Sequence, residues 1–344
     1  MATLIVHIGA GKTGTSSIQS TLQQNKAGLD SQGVKYLGIM LENASYSPKE
    51  PWQTPKAAAN HLHLTKETQF CSSAFTVLHR ELNSLGDSGY TRSIWSNEVL
   101  LEKPDSIIPA LLKLQDHGHN ITIQCYIRRH DSWARSAYVQ WGIKHKTYSG
   151  PVVSFNEWTR HRDSSWGRFH DLLKPWQDCF GDNLMVFNFD FAGNVVEHFL
   201  RVNDIKGIEP RHGNASPPVE EIAAQAVFNS RSQDPILPLD FDEFMRIEKR
   251  HDLTGASVPP LDELMPSVDE LINFSRERQE DIQSINALLL SKGEPPLSFD
   301  TPPRDTEHPT PWQMDQFLLK LVYALYEEVV LLRRKIDKIG DTKT

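Results

Sequence analysis

LIVHIGAGKTGTSSIQSTL, which runs from Leu4 to Leu22, is the most informative segment of this sequence for the fold. It begins with a short apolar run that is rich in β-branched residues and ends at a glycine, which is typical of a buried strand. It ends with Ile18 and Leu22 one helical turn apart, which predicts an amphipathic helix. Ligands of parallel α/β proteins bind beyond the carboxyl ends of the strands, and we therefore expect chemistry at the loop between these elements.

This loop completes neither of the common nucleotide-binding motifs. In the Walker A motif, G-x-x-x-x-G-K-[ST], an outer glycine stands five positions before the second glycine. Gly11 and Lys12 supply the Gly-Lys pair here, but the outer position is Val6. The dinucleotide fingerprint is incomplete as well, because Gly9, Gly11 and Gly14 are followed by no acidic residue at the expected strand end.

The loop nevertheless has the composition of an anion cradle. Its glycines allow backbone N–H groups to face an anion, and Lys12 adds a mobile positive charge. The hydroxyl residues that follow open a helix, whose N-terminus favours negative charge. The residues that we predict to hold an anionic ligand are Gly9, Gly11, Lys12, Thr13, Gly14, Thr15 and Ser16.

Strand and helix patterns alternate through the first 215 residues. Further strand patterns are VKYLG, TRSIWS, ITIQCYI and NLMVFNFD, and amphipathic helical patterns separate them. This alternation predicts an α/β fold with a mostly parallel sheet and helices on both of its faces.

From about Pro217 onward the sequence has helical patterns and proline-bearing loops, with no strand signal. We therefore predict an α/β core over residues 1–215 and a helical C-terminal region over residues 216–344 that packs on the core or extends it. The last helical pattern is long and aliphatic. Covering the core is the favoured interpretation of this helix, and pairing with a second subunit in a homo-oligomer is the alternative.

Composition limits the partners and the compartment. The net charge of −8 argues against a general nucleic-acid binder. Cys71, Cys125 and Cys179 have no metal-ligand spacing, so we expect no metal and interpret them as free thiols in a reducing compartment. No apolar run reaches the about 18 residues that a membrane span needs, and the first strand pattern leaves no room for a signal peptide. The expected location is cytoplasmic.

A second strand-to-helix junction, CYIRRHDSWARSAYVQ, covers residues 125–140. Arg128 and Arg129 stand where the strand pattern ends, and Ser136 follows Arg128 by eight residues on the next helix pattern. Adjacent arginines at the carboxyl end of a strand can grip a phosphate bidentately. The serine hydroxyl can return to the same phosphate.

Together, GAGKTGTSS and RRHDSWARSAY resemble the two donor-binding motifs of the sulfotransferases that use 3′-phosphoadenosine 5′-phosphosulfate (PAPS). In that family the first loop cradles the 5′-phosphosulfate, and an arginine and a serine eight residues apart hold the 3′-phosphate. The match selects Arg128 and Ser136 for the second role. The segment LLKPWQDCFGDNLMVFNFD also resembles the family's Trp-x-x-x-Phe-Gly segment before a late strand, and the similarity covers roughly residues 3–215.

The resemblance implies a P-loop NTPase-like three-layer sandwich and a PAPS-dependent transfer to a hydroxyl or amine of a saccharide or small molecule. Adenosine 3′,5′-diphosphate is the product that it implies. Two positions depart from the family. His130 stands where the second motif often has a proline, and Arg211, in EPRHGNAS, matches only loosely the basic loop that closes over the donor.

Sulfuryl transfer depends on positioning and charge stabilisation, as phosphoryl transfer does. Lys12 is the predicted residue that stabilises the departing phosphate. Glu98, which follows the SIWS strand pattern, is the candidate general base for the acceptor, and His61 and His63 are its rivals.

Two other functions remain open from the sequence, a small-molecule kinase of the P-loop type and a non-catalytic nucleotide-binding module. The resemblance implies that the acceptor pocket lies in variable loops, which here would be residues 40–75, 142–165 and 230–265. The basic run at residues 144–146 would either be solvated or attract an acidic sugar chain.

Overall fold

The computed structural model describes residues 2–45, 49–54, 67–163, 165–211, 218–230, 232–236, 261–303, 305 and 309–341. Five strands within these residues form one parallel sheet. The strands are β1 (Thr3–His7), β2 (Val34–Gly38), β3 (Arg92–Ser96), β4 (Ile121–Ile127) and β5 (Leu184–Asn188). Their order across the sheet is β2-β3-β1-β4-β5, so the strand that precedes the glycine-rich loop is central.

The α-helices of the described residues are numbered in chain order. They are α1 (Thr15–Gln24), α2 (Lys26–Asp30), α3 (Glu67–Asp87), α4 (Ile108–Asp116), α5 (His130–Ala137), α6 (Phe155–Arg160), α7 (Phe169–Phe180), α8 (Val195–Val202), α9 (Val219–Ser230), α10 (Leu261–Leu264), α11 (Val268–Arg276), α12 (Gln279–Ser291) and α13 (Pro311–Asp341). A 3₁₀ helix spans Glu98–Glu102 and a π-helix spans Tyr138–Lys144. None of the described helices has the length and apolar character needed to cross a membrane.

The strand order creates a switch point at the carboxyl ends of β1 and β3. After β1 the chain passes β3 to reach β2, whereas after β3 it passes β1 to reach β4. Neighbouring strands whose connections leave in opposite directions open a crevice, and ligands of open α/β sheets bind there. The loop after β1 and the segment that begins at Glu98 both start at this crevice.

Helices cover both faces of the sheet. On one face, α1, α2 and α8 enclose an apolar core with the strands, and its buried members include Ile5, Ile18, Leu22, Leu29, Tyr36, Ile94, Tyr126, Phe187 and Phe199. On the other face, α7 packs against β4 and β5, and α12 packs against β5. Successive strand residues point to opposite faces of the sheet. The residues that point to this second face are also fully buried, among them Leu4, Val6, Trp95 and Val186. The predicted α/β fold, with a parallel sheet and helices on both faces, is confirmed.

The chain forms two compact units that alternate along the sequence. The first, which holds the sheet, consists of Met1–Trp133, Ser165–Ala215 and Ser275–Thr301, and the second consists of Ala134–Ser164, Ser216–Phe274 and Pro302–Thr344. The chain leaves the first unit after Trp133 and again after Ala215. It returns to that unit with α12, which packs against β5 and α7.

In the second unit, α9 packs against the π-helix and against α13. Lys146, just after the π-helix, is fully buried. Its ammonium donates hydrogen bonds to the carbonyl oxygens of Gly150 and Ser232, the latter at 2.8 Å. A buried ammonium that is bonded to carbonyl groups does not attract an acidic sugar chain, so the prediction of an exposed basic run is wrong for Lys146.

In the first unit, a buried carboxylate fastens α12 to two other helices. Asp281 Oδ2 lies 2.8 Å from His130 Nε2 at the start of α5 and accepts a hydrogen bond from the backbone N–H of Phe169 at 3.0 Å. Asp281 Oδ1 accepts from the backbone N–H of His170 at 2.8 Å, so the carboxylate also caps the N-terminus of α7. The side chains of His130 and Asp281 are at most 1% exposed. His130, which departs from the proline of the resembled motif, thus has a structural partner.

Candidate functional site

The loop between β1 and α1 has three successive carbonyl groups held by side chains of the first unit. The Thr13 hydroxyl donates to Ala10 O at 2.5 Å, and the Trp133 indole N–H donates to Gly11 O at 2.9 Å. The Arg128 guanidinium contacts Lys12 O at 3.4 Å. Because N–H and C=O point in opposite directions across a peptide plane, fixing the carbonyl groups also fixes the direction of the next N–H groups.

These N–H groups are the donors that an anion needs. Among the described residues, no acceptor receives a hydrogen bond from the backbone N–H groups of Gly9, Ala10, Gly11, Thr13, Gly14, Thr15 and Ser16. The last two belong to the first turn of α1, whose N–H groups have no partner within the helix. The loop and the helix N-terminus together form a concavity of backbone donors, the arrangement that binds phosphate and sulfate groups.

The loop backbone is tightly constrained. Lys12 has a φ of 69°, in the left-handed region that costs a residue with a Cβ about 1–2 kcal/mol. Gly14, with a φ of 80°, precedes α1, and a Cβ built on it would lie 2.5 Å from Val195 Cγ1. Strain of this kind persists where the surroundings impose it, and it is concentrated at functional sites.

Two buried polar atoms face the loop at Gly9. A Cβ on Gly9 would lie 2.6 Å from Thr15 Oγ1 and 3.1 Å from His7 Nε2. Neither atom has a hydrogen-bond partner among the described residues. An unsatisfied buried polar group costs about 1–3 kcal/mol, and native proteins seldom keep one without a reason. These atoms fit a site that takes a polar ligand.

His7 is held on its other side by the neighbouring strand. Its Nδ1 lies 2.8 Å from the hydroxyl of Ser96, which is the register partner of His7 on β3. The ring also packs against Tyr126 and Phe199. Burial lowers the pKa of His7 to about 3, so the imidazole is neutral at physiological pH.

We expect His7 to make the protein less stable as the pH falls. Its pKa is about 3 in the folded chain and about 6.5 in the unfolded chain, so the unfolded state takes up a proton first. The contribution of His7 to the free energy of unfolding is complete above pH 6.5 and is lost towards pH 3, by about 1.4 kcal/mol per pH unit.

Urea unfolding of the wild type and His7→Asn between pH 5 and pH 8 measures this effect. Burial also lowers the pKa of His119 and of His198. Both variants retain these residues, so the difference between the two slopes isolates His7. Equal slopes in the two proteins would contradict the expectation.

Glu98 begins the 3₁₀ helix after β3, two residues beyond the end of the strand. Gln19 of α1 fixes its carboxylate, since Gln19 Nε2 donates to Glu98 Oε2 at 3.0 Å and to Ser96 O at 3.1 Å. Gln19 is 8% exposed, whereas Glu98 is only partly buried. A carboxylate at the crevice is therefore tied to the helix that follows the loop.

The structure gives the two adjacent arginines different surroundings. Arg128 lies over the Phe189 ring, 3.9 Å from the Asp190 carboxylate, and contacts the loop at Lys12 O. Arg129 instead forms two hydrogen bonds to the carboxylate of Asp131, at 3.1 and 2.7 Å. It also donates to Thr301 O at 2.9 Å. Of the two guanidinium groups, that of Arg128 faces the loop after β1.

The structure gives less support for the roles of the other predicted residues. Thr13 is fully buried and uses its hydroxyl inside the loop, while Ser16 is exposed on the first turn of α1. Ser136 lies on the last turn of α5 and belongs to the second compact unit, so its role at the 3′-phosphate stays a prediction. His61 and His63 lie outside the described residues.

Arg211 is exposed, and its backbone N–H donates to the Thr21 hydroxyl at 3.0 Å. Thr21 is about 9 Å along α1 from Thr15, given the rise of about 1.5 Å per residue. The backbone of Arg211 therefore lies towards the far end of the helix from the loop. Closure of this segment over a donor stays a prediction.

No group of three or more potential metal ligands occurs in the part of the chain that the structure describes. A surface cavity of about 430 Å³ lies at the opposite, amino end of β1 and β4, where it is lined by Thr3 and Ile121 among others. It is remote from the loop and its donors. The loop after β1 is the better candidate site because it combines backbone donors, charge and constrained geometry.

Two residues of the site were not singled out by sequence reasoning. Gln19 and Trp133 hold Glu98 and Gly11 in place, but each is ordinary in its own helix pattern. The spacing of Gln19, four residues after Thr15, places it on the same face of α1. No sequence signal links Trp133 to a carbonyl group 122 residues away.

No model of a known protein family matches this chain, and a search of curated proteins gives no match.

Proposed function

We propose that this chain transfers the sulfuryl group of PAPS to a hydroxyl or amine of a saccharide or small-molecule acceptor and releases adenosine 3′,5′-diphosphate. The observation that carries the proposal is the contact between the two motifs. Arg128, from the second motif, meets the carbonyl group of Lys12 in the first. A guanidinium beside an anion cradle suits a ligand with two separate anionic groups, which is how the 5′-phosphosulfate and 3′-phosphate of PAPS are arranged.

In this scheme, the backbone donors of the loop and the Thr15 hydroxyl bind the phosphosulfate. Lys12 stabilises the charge that develops on the phosphate oxygen as its bond to sulfur breaks. Arg128 binds the 3′-phosphate, with Ser136 as the predicted second donor. The acceptor oxygen or nitrogen forms the new bond to sulfur from the side opposite the departing phosphate.

Glu98 accepts the proton that the acceptor loses. It stands at the crevice beside the loop, and Gln19 orients its carboxylate. A partly buried carboxylate that is held by one amide keeps other lone pairs to accept a proton. Gln19 is therefore a positioning residue for the reaction.

Calorimetry with adenosine 3′,5′-diphosphate and with ADP tests the donor site. We expect the wild type to bind the 3′-phosphorylated ligand more tightly. Arg128→Ala should weaken that binding by about 1.5–3 kcal/mol, a factor of roughly 10–150, because a charge-assisted hydrogen bond is lost. The affinity for ADP should change much less, since ADP has no 3′-phosphate.

Arg129→Ala is the matched control. Its guanidinium is engaged by Asp131 and Thr301, so this variant should keep the preference for the 3′-phosphorylated ligand. Equal binding of the two nucleotides by the wild type would refute the proposal. Magnesium-dependent ATP turnover would instead support the small-molecule kinase, and donor binding without transfer to a broad acceptor panel would support the non-catalytic module.

A further inference from the structure

The C-terminal helix α13 presents a long apolar face to solvent. It runs for 31 residues, about 46 Å at about 1.5 Å per residue. A capping box begins it, in which Thr310 Oγ1 accepts from Gln313 N–H at 3.2 Å and Gln313 Oε1 accepts from Thr310 N–H at 2.8 Å. Isolated apolar side chains are common on protein surfaces, but a contiguous row of them marks an interaction site.

Five of the exposed apolar residues form a heptad stripe, and Trp312, Leu319, Tyr326 and Leu331 are exposed outside it. Its members, which we call the α13 stripe, are between 43% and 60% exposed and are Leu318, Val322, Leu325, Val329 and Leu332. Their spacings alternate between four and three residues, which keeps them on one side of a helix that winds at about 3.5 residues per turn. The sequence continues the same spacing through Ile336 and Ile339.

The residue types in the stripe favour a particular partner. With Val322 and Val329 at the a positions, the d positions are all leucine as far as Leu332. β-branched residues at a with leucine at d favour a parallel, two-stranded coiled coil, because the two layers differ in packing geometry. Because α13 has this pattern itself, a second copy of α13 is a suitable partner helix.

One pair of flanking charges agrees with a parallel pair of identical helices, while the preceding g and e positions, Leu321 and Tyr326, are uncharged. In this register Glu328 occupies a g position and Arg333 the following e position. The g residue of one helix and the next e residue of its partner are neighbours in parallel coiled coils, and here they have opposite charges. The two-fold symmetry of such a pair repeats this complementarity on both sides.

We propose that α13 pairs with α13 of a second copy of this chain, as a parallel two-stranded coiled coil along the α13 stripe. The sequence favoured the packing of this helix over the core, but the stripe residues are about half exposed. Within the second unit, α9 packs against α13, and Met314 and Phe317 near its start are only partly exposed. The α13 stripe therefore stays exposed in the single chain, where another helix can pack against it.

Sedimentation velocity of the full chain tests the proposal at low and high micromolar concentrations. We expect a species with twice the 39.1 kDa mass of one chain. Replacing Val322 and Val329 by aspartate in one variant should raise the dissociation constant by more than about 100-fold, because the pair would bury carboxylates without partners. A monomeric wild type, a larger oligomer, or a dimer that survives this double substitution would each overturn the proposal.

Leu331→Asp is the matched control on the same helix. Leu331 is 48% exposed but lies outside the stripe, so this variant should dimerise as the wild type does. Thermal unfolding should show that both variants remain folded, since exposed substitutions seldom change stability by more than about 0.5 kcal/mol. Dissociation of the control as well as the stripe variant would contradict a coiled coil in this register.

Disulfide trapping tests the orientation of the helices. Leu318→Cys and Leu332→Cys, made separately, should each form a cross-linked dimer on mild oxidation, with the oxidised wild type as the reference for the native cysteines. In a parallel pair every d residue faces its own copy, whereas an antiparallel pair allows this at only one level along the helix. Cross-linking of one variant but not the other would exclude the parallel arrangement.

Discussion

Lys12→Ala should slow the chemical step, in which PAPS loses its sulfuryl group and becomes adenosine 3′,5′-diphosphate, by about 10²–10³-fold. The affinity of the protein for that product should change much less. A preorganised charge acts mainly on the charge that develops in the transition state, and removing one such group costs rates of this order. Lys12 sits in a backbone conformation that the loop imposes, between carbonyl groups held by Trp133 and Arg128. The backbone position of Lys12 is therefore set by the fold, while its side chain supplies the charge.

Single-turnover assays with a panel of hydroxyl and amine acceptors measure this effect. Lys12→Arg keeps the charge but not the point geometry of an ammonium, so it should retain part of the rate. Lys174→Ala, which removes an exposed lysine paired with Asp178 on α7, should behave as the wild type. A Lys12→Ala rate within a fewfold of the wild type would remove Lys12 from the reaction.

Asp281→Ala should lower the free energy of unfolding by roughly 3–5 kcal/mol, as the loss of one partner from a buried polar pair does. The substitution leaves His130 and two backbone N–H groups at the start of α7 without their acceptor. The loss is structural and acts on the attachment of α12 to the sheet unit. Urea unfolding followed by circular dichroism gives the free energy directly.

Glu280→Ala is the matched control in the same first turn of α12, and its side chain is exposed. It should cost at most about 1 kcal/mol, since it loses only a favourable interaction with the helix dipole. Asp281→Asn keeps one acceptor oxygen, so its loss in free energy of unfolding should lie between those of Glu280→Ala and Asp281→Ala. It replaces the alanine variant in the comparison if that variant does not fold. Equal stabilities of the Asp281 and Glu280 variants would show that the buried cluster contributes little.

The sheet was predictable because its signals are local. Each strand is a short, mostly buried run that is rich in apolar residues, and each crossover contains an amphipathic helix. The hydrophobic period alone therefore indicates a parallel α/β fold. The position and composition of the loop after β1 were predictable for a similar reason. Glycines, a lysine and hydroxyl residues follow one another within ten positions, and the strand before them and the helix after them fix what they can face.

Contacts between distant segments could not be predicted in the same way. Arg128 and Arg129 are neighbours of the same residue type, and only the positions of Asp131 and Thr301 decide which guanidinium turns towards the loop. Lys146 belongs to a run that has the composition of a solvated surface, and only its carbonyl partners account for its burial. The α12 helix follows a long helical region in sequence but belongs to the sheet unit, because Asp281 and the apolar face of α12 find partners there.

Three features of this protein follow from its sequence alone, namely its α/β class, the position of its glycine-rich loop after β1 and the heptad spacing of its last helix. All three are periodic or contiguous patterns, in which each residue acts through neighbours a few positions away. The contacts that fix this loop and the residues around it are instead a property of the folded chain. Trp133, Arg128, Gln19 and His7 act across a sheet edge that joins residues up to 122 positions apart. Such contacts depend on strand order and side-chain direction, which no short stretch of sequence encodes.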